Sequence, residues 1–171
     1  MDFIKRLIGK PGDTIQVKGA QILIDGEPVE PQSLGSYDVH AYVRERLGLI
    51  PDAAVKLYPD YVLVEGKKKY DTKELATVLG HEGAKIQIVP GQTLRNGKVL
   101  DEPYTREDPD YNYPEDTSEP PVKLGDDELF MMGDNRNHSK DSHIWGPLKR
   151  KNVVGHAVVL FWPPNRMGLI R

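Results

Sequence analysis

The chain opens on a weak alternation of period two over residues 3–8, the pattern of a strand rather than a helix. Over residues 3–8, Phe3, Lys5 and Leu7 share one face and Ile4, Arg6 and Ile8 the other. Pro11-Gly12-Asp13 then turns the chain. Thr14 to Val17 and Gln21 to Ile24 read as two strands joined around Gly19, and Asp25-Gly26 carries a hairpin signal.

The middle of the chain changes character. Tyr42 to Leu47 reads as a short helix closed by Gly48, and Tyr61 to Val64 as a strand. Asp71-Thr72-Lys73-Glu74 forms a capping box that opens a helix through Leu79, closed by Gly80. Strand patterning returns at Lys85 to Val89. Ile86-Gln87-Ile88 through Asn96-Gly97 to Glu102-Pro103 echoes Ile15-Gln16-Val17 through Asp25-Gly26 to Glu30-Pro31. Shared hairpin chemistry and a local duplication both account for that echo. The pattern predicts a β-rich core over residues 1–31 and 93–171, with 32–92 as an inserted α/β excursion. Asp101 to Pro121 is rich in Pro, Asp, Glu and Tyr without a period and reads as a long surface loop. Asp127 to Met132 reads as a strand, and the apolar run Val153 to Trp162 as a buried one.

Composition narrows the function. A length of 171 residues suits one domain, or one domain with a large excursion, and a net charge of −3 makes no case for nucleic acid. Gly155 and His156 interrupt the longest apolar run, which is too short to span a bilayer, so the chain reads as soluble as given. Met1 leads directly into strand pattern rather than into a signal peptide. Cysteine is absent, which excludes disulfides and cysteine metal sites.

Two stretches carry chemistry. The first is the lysine of Phe3-Ile4-Lys5-Arg6-Leu7-Ile8, set before a Pro-Gly turn. A lysine acting as general base must be neutral at working pH, whereas the free side chain titrates at about 10.4. Burial among apolar groups closes such a gap by penalising the ammonium, and Phe3 and Leu7 flank Lys5 on its own face. The second stretch is a loop after Gly133 that gathers Asp134, Asn135, Arg136, Ser139, Asp141 and Ser142. It lies between an apolar strand and Ile144-Trp145-Gly146, so part of it is expected to be buried and to need polar partners. It lacks the oxygen-ligand spacing of a calcium loop, and no metal is expected there.

Lys5-Arg6 followed by Gly9-x-Pro11-Gly12-Asp13, with Gly133-Asp134-Asn135-Arg136-x-x-Ser139-x-Asp141-Ser142, resembles the bacterial type I signal peptidases. Asn96-Gly97-Lys98 to Asp101-Glu102-Pro103-Tyr104 is similar to a hairpin of the same family. The resemblance covers roughly 1–31, 93–105 and 127–165 and leaves the excursion unexplained. It implies a mainly β fold: a coiled, barrel-like core with a helix-containing insertion. It implies a serine–lysine endopeptidase without cofactor or metal, acting on the signal peptides of secretory preproteins. The parent enzyme is then anchored in the cell membrane with its catalytic domain extracytoplasmic. By position, the resemblance makes Lys5 the general base, Ser139 the hydroxyl that orients its amine, and Asp141 the support of that loop. Arg6 pairs with Asp134, while Arg136 and Ser142 give structural support. The family usually has arginine where this chain has His143, a shorter side chain only partly charged near neutrality.

The family's nucleophile is a serine followed by methionine. The serines here are Ser33, Ser36, Ser118, Ser139 and Ser142, and none precedes a methionine. The expectation is therefore a C-terminal fragment lacking nucleophile and anchor, inactive alone. Two alternatives are Ser139 as a nucleophile activated by Lys5, and a non-catalytic β module that binds an extended peptide or protein partner. For the latter, the excursion and the Tyr104 to Tyr113 loop are candidate contact surfaces, the loop also reading as a solvated connector.

Overall fold

The computed structural model describes residues 4–29, 38–160 and 167–169. Strands dominate. They are β1 (Arg6–Gly9), β2 (Thr14–Lys18), β3 (Gln21–Ile24), β4 (Glu27–Pro28), β5 (Val55–Tyr58), β6 (Tyr61–Val64), β7 (Lys68–Asp71) and β8 (Ile86–Val89). After them come β9 (Gln92–Arg95), β10 (Lys98–Val99), β11 (Val122–Lys123), β12 (Glu128–Met132), β13 (Leu148–Lys149), β14 (Val159–Leu160) and β15 (Gly168–Leu169). Among the described residues, the α-helices α1 (Val39–Arg46), α2 (Thr72–Val78) and α3 (Ser142–Trp145) join them. The mainly β expectation holds.

The two echoing segments pair with each other. β2 runs antiparallel to β9, with Ile15 opposite Arg95, and β3 runs antiparallel to β8, with Ile22 opposite Ile88. The strands on either side of Gly19 are thus neighbours of β9 and β8, not of each other. Each segment ends in a hairpin whose two turn residues both have positive φ: 52° and 93° at Asp25-Gly26, 54° and 73° at Asn96-Gly97. Such turns match the twist of the flanking strands, which is why Asp-Gly and Asn-Gly mark them. Elsewhere β1, β12 and β13 form one sheet and β5, β6 and β7 another.

Two apolar clusters result. One gathers Ala20 and Ile22 with Val39, Val43, Val55, Leu57, Val62, Leu75 and Ile88. The other joins Ile8, Ile15, Val17, Leu124, Phe130 and Met132, with Tyr111 and Tyr113 packed against it. The capping box at Asp71 and Glu74 forms, and α2 ends before Gly80 as its sequence implies. Helix α1 begins earlier than the 42–47 pattern suggested, because Asp38 accepts from Ala41 N and supplies the N-cap.

Three expectations fail. The 101–121 segment is not merely a surface loop: Thr105, Glu107 and Asp108 are buried. Their polar atoms meet partners on α1 and β5, a match that composition does not reveal. The run from Val153 is not buried in its described part. Val154 is 85% exposed, and β14 pairs only with β15 among the described strands; Trp162 lies outside the described residues. Apolar continuity marks a buried strand only where another layer covers it. Leu7, the expected apolar cover of Lys5, is itself 43% exposed, and Phe3 lies outside the described residues. Among the described residues no helix is long and apolar enough to cross a membrane.

Candidate functional site

Strand register brings the lysine to the late loop. β1 pairs antiparallel with β12, Arg6 opposite Met132 and Leu7 opposite Met131. Lys5, one residue ahead of β1, therefore arrives beside Gly133. Its Nζ donates to Ser139 Oγ at 2.5 Å, across 134 residues of sequence. Gly133 makes the approach possible: a Cβ there would lie 2.1 Å from Ser139 Oγ, 2.6 Å from Ser139 Cβ and 3.5 Å from Lys5 Nζ. Because the Ser139 Cβ cannot swing aside as a long side chain would, Gly133→Ala should cost about 1–3 kcal/mol of stability. It should also push the Nζ–Oγ pair beyond hydrogen-bond reach. A crystal structure of the variant checks both parts, and an unchanged contact would show that the loop yields freely.

Around this pair a chain of charged and aromatic groups joins three segments. Arg6 clamps Asp134 with two bonds, Nε to Oδ1 at 2.8 Å and Nη2 to Oδ2 at 2.9 Å. The bond to Asp134 raises Arg6 above its usual range; burial opposes it, and the Asp134 charge adds to the rise. The same guanidinium lies 3.7 Å from the Tyr104 ring centroid. The Tyr104 hydroxyl donates to Glu102 Oε1 at 3.0 Å. Glu102 in turn pairs with Arg136, Nη1 to Oε2 at 2.5 Å and Nη2 to Oε1 at 2.6 Å. Arg136 is wholly buried, and it also donates to Thr93 Oγ1 at 2.7 Å and to Gly133 O at 3.1 Å. Burial alone would lower its pKa, but the Glu102 bond and charge outweigh that and raise it.

Asp141 fixes the loop from its other side. It is buried, accepts from Gly133 N at 2.8 Å, caps α3 through His143 N at 3.2 Å, and meets His143 Nδ1 at 2.7 Å. The histidine thus keeps a contact with Asp141 despite its short reach. Burial pushes the Asp141 carboxyl up, yet the bonds from His143 and Gly133 outweigh it and hold the group below the ordinary carboxylate range. The His143 ring stacks on Tyr111, centroids 4.0 Å apart and planes at 16°. Ser142 Oγ accepts from Met131 N at 2.9 Å, tying α3 to β12.

The structure thus gathers Lys5, Ser139 and Asp141, with Arg6, Asp134, Arg136 and Ser142 around them. Sequence reasoning gave Thr93, Glu102, Tyr104 and Tyr111 no role at this site, placing Glu102 and Tyr104 only in a hairpin and the Tyr104 to Tyr113 loop only among contact surfaces. The available signal was the acidic-proline-tyrosine step after the Asn96-Gly97 turn, which places Glu102 and Tyr104 at a hairpin exit.

A second polar cluster, also unanticipated, lies where the 105–113 segment meets α1 and β5. Arg44 bonds Glu107, which also accepts from Val55 N at 2.9 Å. His40 Nε2 faces Asp108 Oδ1 at 3.2 Å. Burial pulls His40 down, but Asp108, Glu107 and Asp110 together raise it. Burial is also the main force on Asp110; it and the nearby Asp38 carboxylate outweigh the His40 charge and push Asp110 up to about 7.

Comparison with known proteins agrees with the motif resemblance. A family profile described as signal peptidase, peptidase S26, matches residues 1–69 and 53–162. A signal peptidase I from Leptolyngbya laminosa is 37% identical over 114 residues, 67% of this chain and 53% of the relative. A probable signal peptidase I-2 from Synechocystis sp. is 39% identical over 103 residues, 60% of this chain and 44% of the relative. A signal peptidase I from Bacillus amyloliquefaciens is 29% identical over 161 residues, 86% of this chain and 78% of the relative. The chain spans about half the length of the first two relatives. No solved structure matches. With a family match across most of its length and both motif boxes meeting in space, the chain belongs to the signal peptidase family, peptidase S26.

Proposed function

We propose that this chain supplies the general-base half of a serine–lysine peptidase that removes signal peptides from secretory preproteins. The observation that carries the reading is the Lys5 Nζ to Ser139 Oγ contact at 2.5 Å, held by the Gly133 loop. In this reading the Lys5 amine accepts the proton of a serine hydroxyl as that oxygen attacks the scissile carbonyl. The resulting ammonium passes the proton to the leaving amine, and the amine then activates water to release the acyl group. Ser139 orients the amine through its hydroxyl. Asp141 and His143 hold the loop that carries Ser139. Arg6 with Asp134, and Arg136 with Glu102, fix the strand and loop against each other.

The nucleophile in this reading is not one of the 171 residues, since no serine here precedes a methionine. The parent enzyme then works at the membrane, with these residues on the extracytoplasmic side where preproteins emerge. The Lys5 contact equally suits a second reading, in which Ser139 itself is the nucleophile.

Incubating the 171-residue chain with a secretory preprotein tests the two. The expected result is no cleavage above the uncatalysed background. Turnover by the chain alone would overturn the reading of an external nucleophile. Loss of that turnover in Ser139→Ala would then assign the attack to Ser139.

A further inference from the structure

Helix α1 opens at Asp38, whose Oδ1 accepts from Ala41 N at 2.7 Å. His40, two residues on, is wholly buried. Asp108 and Asp110 reach the same spot from the other direction, on the 105–113 segment. Asp108 is pinned as an acceptor: its Oδ1 takes Leu57 N at 3.0 Å and its Oδ2 takes Gly91 N at 2.7 Å. Its Oδ1 also lies 3.2 Å from His40 Nε2, so it accepts that ring N–H. The tautomer this selects leaves the lone pair on Nδ1.

Nδ1 faces Asp110 Oδ2 at 3.9 Å. One ligand atom each from Asp38, His40 and Asp110 lies within 4.8 Å of both others. Three potential ligand atoms therefore lie close together, with Asp38 and Asp110 sharing a side-chain hydrogen bond. Among the described residues, Asn137 Nδ2 lies near Nδ1 at 3.5 Å, the limit of a hydrogen bond. Asn137 also accepts from Asp110 N at 3.0 Å and donates to Asp108 O at 3.1 Å and to Glu107 Oε2 at 3.4 Å. Two carboxylates and an imidazole lone pair call for a cation between them. A histidine whose far nitrogen is held by a carboxylate is the arrangement that orients metal-bound imidazoles.

We propose that His40 Nδ1 and one carboxylate oxygen each from Asp38 and Asp110 bind a single divalent transition-metal ion of the zinc type. Imidazole with two carboxylates suits zinc or cobalt, whereas calcium demands six or more oxygens. Zinc–ligand bonds of about 2.1 Å set tetrahedral ligand atoms roughly 3.4 Å apart, so the trio must draw in by about 1 Å. His40 closes the inner side, while the partly exposed Asp38 and Asp110 leave the outer side for water as fourth ligand. Such an ion staples the start of α1 to the segment whose next residue, Tyr111, stacks on His143. The inference rests on this geometry and not on the peptidase reading.

Zinc and cobalt titrated into the metal-free 171-residue chain test it. Calorimetry should show one saturable equivalent, cobalt should give the visible absorption of a four- or five-coordinate site, and zinc should raise the melting temperature. Because His40→Gln can fail to fold, Asp38→Asn and Asp110→Asn carry the comparison. Each should weaken binding at least about tenfold while circular dichroism stays that of the parent. His81→Gln, an exposed control on another element, should bind as the parent does. Absence of a saturable equivalent overturns the site, and so does undiminished binding in either carboxylate variant.

Discussion

Lys5→Met should reduce preprotein cleavage by about 10⁴-fold or more in a form of the protein that carries the nucleophilic serine. The loss should fall on kcat rather than KM, because the amine is needed only as the proton moves in the transition state. Methionine keeps most of the side chain's length and apolar stem, and Lys5 is only half-buried, so the melting temperature should change little. Ser139→Ala is the companion. It removes the hydroxyl that holds Nζ but leaves the amine, so its cost should be smaller, roughly 10–100-fold. A ranking of Lys5→Met far below Ser139→Ala supports base and orienter as assigned. Equal losses in the two would favour a nucleophilic Ser139, and a Lys5→Met enzyme near full rate would remove the base altogether.

Arg136→Met should destabilise the fold by about 3–5 kcal/mol, the usual consequence of leaving a buried charge without its partner. Its guanidinium is wholly buried and serves Glu102, Thr93 Oγ1 and Gly133 O at once. Methionine fills comparable volume but answers none of them. Urea unfolding monitored by circular dichroism gives the number. The double variant Arg136→Met with Glu102→Leu separates the pair from its surroundings: it should recover a good part of the loss, since no orphaned carboxylate remains. Lys149→Ala sets the contrast. Lys149 bonds Asp127 and Glu128 at 2.9 and 3.0 Å, but half of its side chain is exposed, so its removal should barely change stability. An Arg136→Met variant as stable as Lys149→Ala would mean that the Glu102 pair adds nothing to the fold.

Much of the local structure was legible along the chain. The Asp25-Gly26 and Asn96-Gly97 turns, the Asp71 capping box and the strand at Tyr61 to Val64 all formed where their residues indicated. Each depends on groups within a few positions of one another. The internal echo was visible too, but that its halves pair as β2 with β9 and β3 with β8 was not. Pairing over some seventy residues leaves no periodic trace.

The motif boxes pointed to Lys5, Ser139 and Asp141 because residue type and spacing survive without coordinates. Their partners were less visible. Glu102 lies in an aperiodic acidic stretch whose composition suits a solvated loop equally well. Only the burial of Arg136 against it shows that this carboxylate belongs inside. Asp108 and Glu107 were hidden for the same reason, their counterparts His40 and Arg44 lying on a helix more than sixty residues away.

The sequence by itself determined strand periods, turn chemistry, helix caps and the two boxes that mark the family, because all of these are written in residue type and short spacing. The tertiary structure alone decided which strands adjoin, which charges are buried, and that Lys5 reaches Ser139. Burial and distant contact depend on what a segment packs against, and that is a property of register and topology rather than of any stretch of chain.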